Sequence, residues 1–149
     1  MRYYPAILEQ FEENDKTYYV GRVQLSENSS IIAQGDTETE TMTELESSLI
    51  GAVEFAFKDE EIFPEPNAPQ QGEILVLMPT LVEAKVLIHN ERIKRKLSKT
   101  ELGKLAGFSP AEMQRLLNPW YKSGIDKLDR LVQALDQTFN LTLNYKDTL

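Results

Sequence analysis

The sequence contains no cysteine, and this absence excludes disulfide bonds, thiol nucleophiles and thiolate metal sites. It also lacks a basic-apolar leader, and no apolar run reaches the ~20 residues that a membrane-spanning helix needs. No Ser/His/Asp arrangement, phosphate-binding loop or dinucleotide-binding fingerprint is present. These absences predict a cytoplasmic protein that has no cofactor and no enzymatic activity.

Histidine is nearly absent, since His89 is the only one in the chain. A lone imidazole can serve as a metal ligand or a general base. His89, however, lies on a predicted helical stripe together with Val82, Val86, Ile93 and Leu97. This position favours a packed, hydrogen-bonded side chain. The acidic residues gather at turns and helix starts, which favours a solvated surface over a nuclease metal site.

Charge is distributed unevenly along the 149 residues, whose net charge is −8. Residues 1–78 contain 4 basic and 16 acidic side chains (net −12), whereas residues 79–149 contain 12 and 8 (net +4). Only the second part has the surplus of cations that binding to nucleic-acid phosphates requires. The acidic first part would attract a basic protein, although surplus acid can also simply aid solubility. We therefore predict two domains, residues 1–78 and residues 79–149.

Residues 97–118 have the pattern of two short helices that meet at an angle. Ser98 and Ser109 each begin a capping box, with a glutamate three residues later. Gly103 offers a side-chain-free contact point, and Gly107 can adopt the left-handed turn. The pattern resembles the helix-turn-helix of DNA-binding regulators, although alanine is commoner at the position of Gly103. A plain helical hairpin within a bundle is the alternative.

Each of these helices should bury one face and expose the other. The predicted core contains Leu102, Leu105, Ala106, Phe108, Met113, Leu116 and Leu117. On the exposed face of the second helix, Gln114 can pair bidentately with adenine and Arg115 with guanine. Flanking lysines and hydroxyls are either phosphate contacts or ordinary solvated groups. The predicted DNA-binding residues are Lys99, Lys104, Ser109, Ala111, Gln114, Arg115, Asn118, Lys122 and Ser123.

The first part of the chain has strand patterns and one helical pattern. Strands are predicted over residues 2–8, 17–23, 30–34 and 73–78, and Pro5 suggests an edge position or a bulge for the first of them. Apolar residues at helical spacing predict an amphipathic helix from about residue 41 to residue 58. The order β-β-β-α-β indicates an α+β fold.

The second part is predicted to be all-α apart from its end. A helix over residues 80–97 precedes the two short helices, and another begins near Ile125. The tail then alternates apolar and polar residues through Phe139, Leu141, Leu143 and Tyr145, which is strand periodicity. Because an isolated strand leaves its backbone groups unpaired, we predict that the tail pairs with its copy in another subunit, giving a dimer or a dimer of dimers.

Four segments in this order resemble HicB antitoxins of the helix-turn-helix branch, which belong to type II toxin–antitoxin systems. The segments are MRYYPA at residues 1–6, AQGDT at 33–37, IFPEP at 62–66, and the helix over 81–97 that leads into the motif. The resemblance extends over the whole chain. Residues 24–30 depart from the proline- and glycine-containing loop that is usual in the family.

The resemblance implies an N-terminal domain, residues 1–78, that is like a partial ribonuclease H fold without its catalysis. This domain would bind and block a small HicA toxin, which is an mRNA-cleaving ribonuclease. The C-terminal domain, residues 79–149, would dimerise and repress its own operon by binding double-stranded operator DNA, with Gln114 and Arg115 at the family's recognition-helix positions. A competing hypothesis is a repressor whose acidic domain senses a small molecule.

Overall fold

A computed structural model of the protein describes residues 2–143. The strands are β1 (Arg2–Glu13), β2 (Lys16–Ser26), β3 (Ser29–Gly35) and β4 (Ile74–Met78). The helices are α1 (Glu38–Lys58), between β3 and β4, and then α2 (Thr80–Lys94), α3 (Lys99–Ala106), α4 (Pro110–Leu116) and α5 (Ile125–Ala134). This order confirms the predicted α+β class, with its β-β-β-α-β start. No helix within residues 2–143 is long and apolar enough to cross a lipid bilayer.

The chain forms two compact units. The sheet unit comprises residues 2–52 together with Pro64–Pro79. Among the described residues, the helical unit comprises Val53–Phe63 and residues 80–143. The last turns of α1 and the connection that follows it therefore belong to the helical unit, although the charge distribution would place them in the first domain, before residue 78.

The sheet unit is built on four antiparallel strands in the order β3-β2-β1-β4. β1 as a whole is not an edge strand, because β2 and β4 lie on either side of it, but the predicted edge position of Pro5 is correct locally, since Pro5 pairs only with Leu75 of β4. The ladder between β1 and β2 starts with the pair Ala6 and Val23, one residue after the proline. The missing amide of Pro5 therefore interrupts no pairing with β2. A register irregularity lies in β2, between Gln24 and Ser26.

The N-terminal half of α1 covers one face of this sheet. Leu45 and Leu49 are fully buried, and a Cβ atom at Gly21 would lie only 2.5 Å from the Leu45 Cδ1 atom. The glycine in β2 thus permits the close approach of the helix. On the opposite face, apolar side chains remain open to solvent; Ile7 is 50% exposed and Ile32 is 54% exposed.

The helical unit has its own apolar core. Its buried members come from α2 to α5 and their connections: Ala84, Ile88, Leu102, Phe108, Met113, Leu116, Leu117, Leu128, Leu131, Val132 and Leu135. Helix α2 ends at Lys94, earlier than predicted, because Lys96 adopts a left-handed φ of 57° and the Leu97 N–H returns to the Arg92 carbonyl at 3.2 Å. Such a turn satisfies the last carbonyls of a helix and stops it.

The predicted C-terminal strand falls at the end of the described chain. Residues 137–143 form neither helix nor strand. Phe139 packs against the helical core, whereas Leu141 and Leu143 are exposed. Tyr145 lies outside the described residues. Pairing of this tail with a second copy stays a prediction, because a single chain contains no second copy.

Candidate DNA-binding interface

Both short helices of the motif begin with the capping boxes that the sequence predicts. The Ser98 hydroxyl accepts the Glu101 N–H at 3.0 Å, and the Glu101 carboxylate accepts the Ser98 N–H at 2.9 Å. Ser109 and Glu112 make the same reciprocal pair at 3.2 and 3.4 Å. Two orphan amides are satisfied at each helix start, so the entry points of α3 and α4 are fixed by the local sequence.

The turn between the helices also follows the prediction. Gly107 has φ 80°, and its N–H donates to the Gly103 carbonyl, which caps the C-terminal end of α3. Arg130 of α5 closes the turn from outside, donating to the Ala106 carbonyl at 2.8 Å. Its guanidinium carbon also lies 4.1 Å from the centroid of the Phe108 ring, a favourable cation–π distance. The angle between α3 and α4 is thus held by α5 as well as by the glycine.

Gly103 is the close contact point between the two helices. A Cβ atom at this position would lie 2.7 Å from the Met113 Cγ atom and 3.0 Å from the Phe108 carbonyl oxygen. The prediction that Leu105 belongs to the core is wrong, since this side chain is 63% exposed. Gly103 occupies the inward position beside Leu102, and residue 105 lies two positions further on, about 200° around the helix.

Helix α4 presents the predicted outward face. Met113 and Leu116 are buried, whereas Ala111, Gln114 and Arg115 are exposed. The side chains of Gln114 and Arg115 are therefore available to a ligand that approaches this helix. Glu112 is occupied by its cap, as the sequence indicates.

A groove of about 540 Å³ lies beside the exposed face of α4. Four predicted residues line it together: Ser109, Arg115, Lys122 and Ser123. Lys127 of α5 also lines it, 3.8 Å from the Glu112 carboxylate. The apolar periodicity of α5 predicts only its buried face and gives no signal for this lysine. The groove thus combines three cations and three hydroxyl-bearing side chains with a single carboxylate, that of Glu112. This net positive lining suits an anionic ligand such as a phosphate.

Ser123 has an unusual position in this groove. Its Oγ atom is buried and has no hydrogen-bond partner among the described residues. A buried hydroxyl without a partner is costly, and an oxygen atom of a bound ligand would satisfy it.

The other predicted residues lie outside the groove. Ala111 and Gln114 occupy the outward face of α4, and Lys104 is exposed near the end of α3. Lys99 is half-buried at the start of α3. The Asn118 side chain is occupied in a turn, because its Oδ1 accepts the Trp120 N–H at 2.9 Å.

Lys85 of α2 holds the segment that follows α4, and the sequence reasoning missed it. The side chain is fully buried. Its Nζ atom donates to the carbonyls of Arg115, Asn118 and Tyr121 at 3.3, 2.7 and 2.6 Å. Burial lowers the pKa of Lys85 to about 8, so the group is mainly protonated at neutral pH. Its spacing from Val82 and His89 places Lys85 on the buried face of α2, but a charged side chain is rarely assigned to a core.

His89 is packed and hydrogen-bonded, as predicted. It is fully buried and stacks on Phe57 with 4.1 Å between ring centroids. Its Nε2 lies 2.7 Å from the Glu61 carbonyl, which requires a proton on that nitrogen, and Arg92 approaches its Nδ1 at 3.3 Å. Desolvation on burial lowers the pKa of His89. Within residues 2–143, no group of three or more histidine, aspartate or glutamate side chains is placed to hold a metal ion.

Comparison with known proteins relates the chain to one family. Residues 3–87 match the family model described as HicB-like antitoxin of bacterial toxin–antitoxin systems. This match includes all four strands apart from Arg2, together with α1, and it ends within α2, before the helix-turn-helix.

Similarity to individual relatives extends further along the chain. The chain is 30% identical to antitoxin HicB 2 of Photorhabdus laumondii subsp. laumondii over 129 residues, which are 87% of this chain and 90% of the relative. It is 28% identical to antitoxin HicB of Escherichia coli K12 over 140 residues, covering 94% of this chain and 98% of the relative. A third relative, antitoxin HicB 1 of Photorhabdus laumondii, is 31% identical over 140 residues, with coverages of 94% and 86%. A match of 94% of the chain necessarily includes most of α3 and α4.

Proposed function

Because this chain belongs to the HicB-like antitoxin family, we propose that it neutralises a small HicA-type ribonuclease toxin and represses its own operon by binding operator DNA. The observation that carries the proposal is that one chain combines a strongly acidic sheet unit with a cationic groove beside an exposed helix of a helix-turn-helix. The first surface suits a basic protein, and the second suits a phosphate backbone.

The DNA-binding part of the proposal rests on α4 and its groove. Gln114 and Arg115 have the donor and acceptor groups that read adenine and guanine in the major groove. Lys122 and Lys127 lie at the side of this helix, where they can contact phosphates and position α4 on the duplex. Arg115 lines the groove and also lies on the outward face, so either kind of contact is open to it.

The toxin-binding part rests on the uncovered face of the sheet. Ile7 and Phe11 lie on this face, and the Phe11 ring stacks on Tyr18 across the β1–β2 pair with 5.5 Å between centroids. Glu9 and Glu13 alternate with them on the same side of β1. The same face also carries Arg22, across from Ile7, and Lys16, across from Glu13. Its open apolar side chains offer a partner burial, and the carboxylates of Glu9 and Glu13 offer charge pairing to basic groups of that partner.

The hairpin that carries these residues extends beyond the rest of the sheet. β1 pairs with β4 only as far as Ala6, and β2 pairs with β3 only from Tyr19 onward. Residues 11–18 therefore form a two-stranded extension. A two-stranded hairpin is marginally stable by itself, and a bound partner would provide the contacts that it lacks.

We further propose that the repressor is a dimer or a dimer of dimers formed through the C-terminal part of the chain. Exposed Leu141 and Leu143 support this, since such apolar groups are normally covered. A two-fold dimer would place its two α4 helices on half-sites about 34 Å apart, or a multiple of that distance.

Paired substitutions test the division of function. Arg115→Ala should weaken binding to DNA from upstream of the gene by ~1 to 3 kcal/mol and leave toxin binding unchanged. Phe11→Asp should weaken toxin binding by about 1.5 to 3 kcal/mol and leave DNA binding unchanged. Fluorescence anisotropy at fixed salt measures the first effect. Co-purification of a short basic protein, and rescue of growth on its expression, measure the second.

The outcomes separate the possible functions. Equal loss of both activities in either variant would contradict the assignment of the two functions to separate surfaces. If no basic protein co-purifies while DNA binding is retained, the toxin-binding part fails and a repressor with a small-molecule sensor replaces it.

A further inference from the structure

We propose that Lys85 is a positioning residue of the DNA-binding interface. Its buried ammonium group fixes the end of α4 and the loop after it, and so holds Lys122 and Ser123 in the groove. This inference rests on the proposed DNA-binding function, and it concerns how the chain builds that surface.

The hydrogen-bonding capacity of the ammonium group matches its surroundings. A protonated lysine has three N–H donors and no acceptor, and three backbone carbonyls surround the Nζ atom of Lys85. Arg115 supplies one of them from the last turn of α4, while Asn118 and Tyr121 supply the others from the loop. A neutral amine has only two donors, so one of the three carbonyls would face its lone pair.

Stability alone does not account for a lysine at this position. A buried ammonium loses its hydration, and replacement of buried ionic groups by well-packed apolar residues is often neutral or stabilising. The hydrogen-bond partners of Lys85 among the described residues are backbone carbonyls that belong to one segment. The side chain therefore specifies the path of that segment, which an apolar residue of similar size would leave unspecified.

Further hydrogen bonds tie together the segment that Lys85 holds. The Asn118 carbonyl accepts the Tyr121 N–H at 3.2 Å in addition to the Lys85 ammonium. Trp120, between these two residues, donates its Nε1–H to Glu54 at 2.7 Å. Lys122 and Ser123 follow directly and line the groove. Displacement of the carbonyls at residues 118 and 121 would therefore move the groove residues with them.

The first experiment replaces Lys85 by methionine, which retains the apolar stem and removes the charge. Trp120 is the only tryptophan of the chain, so its fluorescence reports on this loop without added probes. We expect a red-shifted emission and greater quenching by acrylamide, with an unchanged far-UV circular dichroism spectrum. Lys94→Met is the matched control, since Lys94 is an exposed lysine of the same helix; it should leave the emission unchanged. Unchanged emission in Lys85→Met would overturn the proposal.

The second experiment measures binding to the DNA upstream of the gene. Lys85→Met should lower the affinity about tenfold and reduce the slope of log K against log salt by about one phosphate contact. If Lys85 acts through the loop, Lys122→Ala should weaken binding in the unaltered protein and have little further effect in Lys85→Met. Additive effects of the two substitutions would show that Lys85 does not act through Lys122.

A chemical rescue separates the ammonium group from packing. The chain has no cysteine, so Lys85→Cys introduces a unique thiol, which can be alkylated in the unfolded protein before refolding. Alkylation with 2-bromoethylamine restores an ammonium at nearly the original length, whereas 1-bromopropane gives a neutral side chain of similar size. The ammonium form should regain the emission and the DNA affinity, and the propyl form should not. Equal behaviour of both forms, or failure of every uncharged form to fold, would overturn a local positioning role.

These readouts also distinguish this inference from the proposed function. If the unaltered full-length protein does not bind the upstream DNA, the DNA-binding function fails. The Trp120 emission still decides whether Lys85 fixes the loop.

Discussion

Gly103→Ala is a sharp test of how the helix-turn-helix is packed, because two opposing effects meet at one atom. Alanine would improve helix propensity by up to ~1 kcal/mol relative to glycine. Its Cβ would also lie 2.7 Å from the Met113 Cγ atom and 3.0 Å from the Phe108 carbonyl oxygen. Relief of such contacts in a packed core typically costs about 1 to 3 kcal/mol. We therefore expect a net loss of up to about 2 kcal/mol in the free energy of unfolding.

A double-mutant cycle isolates the contact with Met113. In a Met113→Ala background the nearest obstacle is gone and only the Phe108 carbonyl opposes the gain in helix propensity of up to about 1 kcal/mol, so Gly103→Ala should cost less than in the unaltered protein. Urea unfolding at a fixed chain concentration, followed by circular dichroism, measures all four variants. Gly51→Ala is the matched control, since a Cβ there meets nothing within 4 Å and α1 continues through it. Stabilisation by Gly103→Ala in the unaltered protein would refute the close contact between α3 and α4.

Three further predictions concern the helical unit. Folding lowers the pKa of His89 below its ordinary value of 6.5 in the unfolded chain. The contribution of neutral His89 to the free energy of unfolding should therefore be fully present above pH 6.5 and be lost on acidification, by at most ~1.4 kcal/mol per pH unit. His89→Gln should flatten this part of the pH profile, as measured by urea unfolding. Ser109→Ala should cost about 1 kcal/mol by removing the cap of α4, whereas Ser47→Ala, within α1, should change thermal stability little. Arg130→Ala should destabilise the unit by about 1 to 2 kcal/mol through loss of its bond to Ala106 and its ring contact; an unchanged melting temperature would contradict that role.

Local rules predicted much of the helix-turn-helix. Caps and turns depend on residues only a few positions apart, so Ser98, Ser109 and Gly107 could be assigned from the sequence and are confirmed. Leu105 shows the limit of such rules, because helical spacing admits two neighbouring apolar stripes on so short a helix. In the structure, α4 packs against the stripe that contains Gly103. Which of the two stripes is buried depends on this tertiary contact and not on the local sequence.

The sheet shows a similar limit. Strand patterns predicted the order of the elements, but the lengths of β1 and β2 were underestimated. Polar residues such as Glu12 and Glu13 occupy the hairpin ends of these strands. The apolar alternation that predicts a strand therefore stops before the strand does. Pro5 indicated where β1 lacks a neighbour, but local sequence does not state which strands lie on either side of the rest of β1.

Lys85 and Lys127 were missed for a related reason. A sequence identifies a lysine as a cation, but only the fold decides whether it faces solvent, a groove or three carbonyls. The turn contact of the Asn118 Oδ1 atom could likewise not be predicted from the sequence, and the role of Asn118 in DNA binding stays a prediction.

Helix α2 explains why the helical unit includes residues that charge would assign to the first domain. Its buried polar side chains bind backbone groups of segments without regular structure. Asn90 both donates to and accepts from the Phe63 main chain, at 3.0 and 2.9 Å, while His89 binds the Glu61 carbonyl.

Lys85 does the same for the loop after α4. Buried backbone groups outside helices and sheets need such partners, so one helix with a polar buried face can fix both the connection after α1 and the loop beside the groove. Apolar periodicity does not detect this arrangement, because the residues that carry it look like surface residues. The geometry of the groove therefore depends on α2 as well as on the helix-turn-helix.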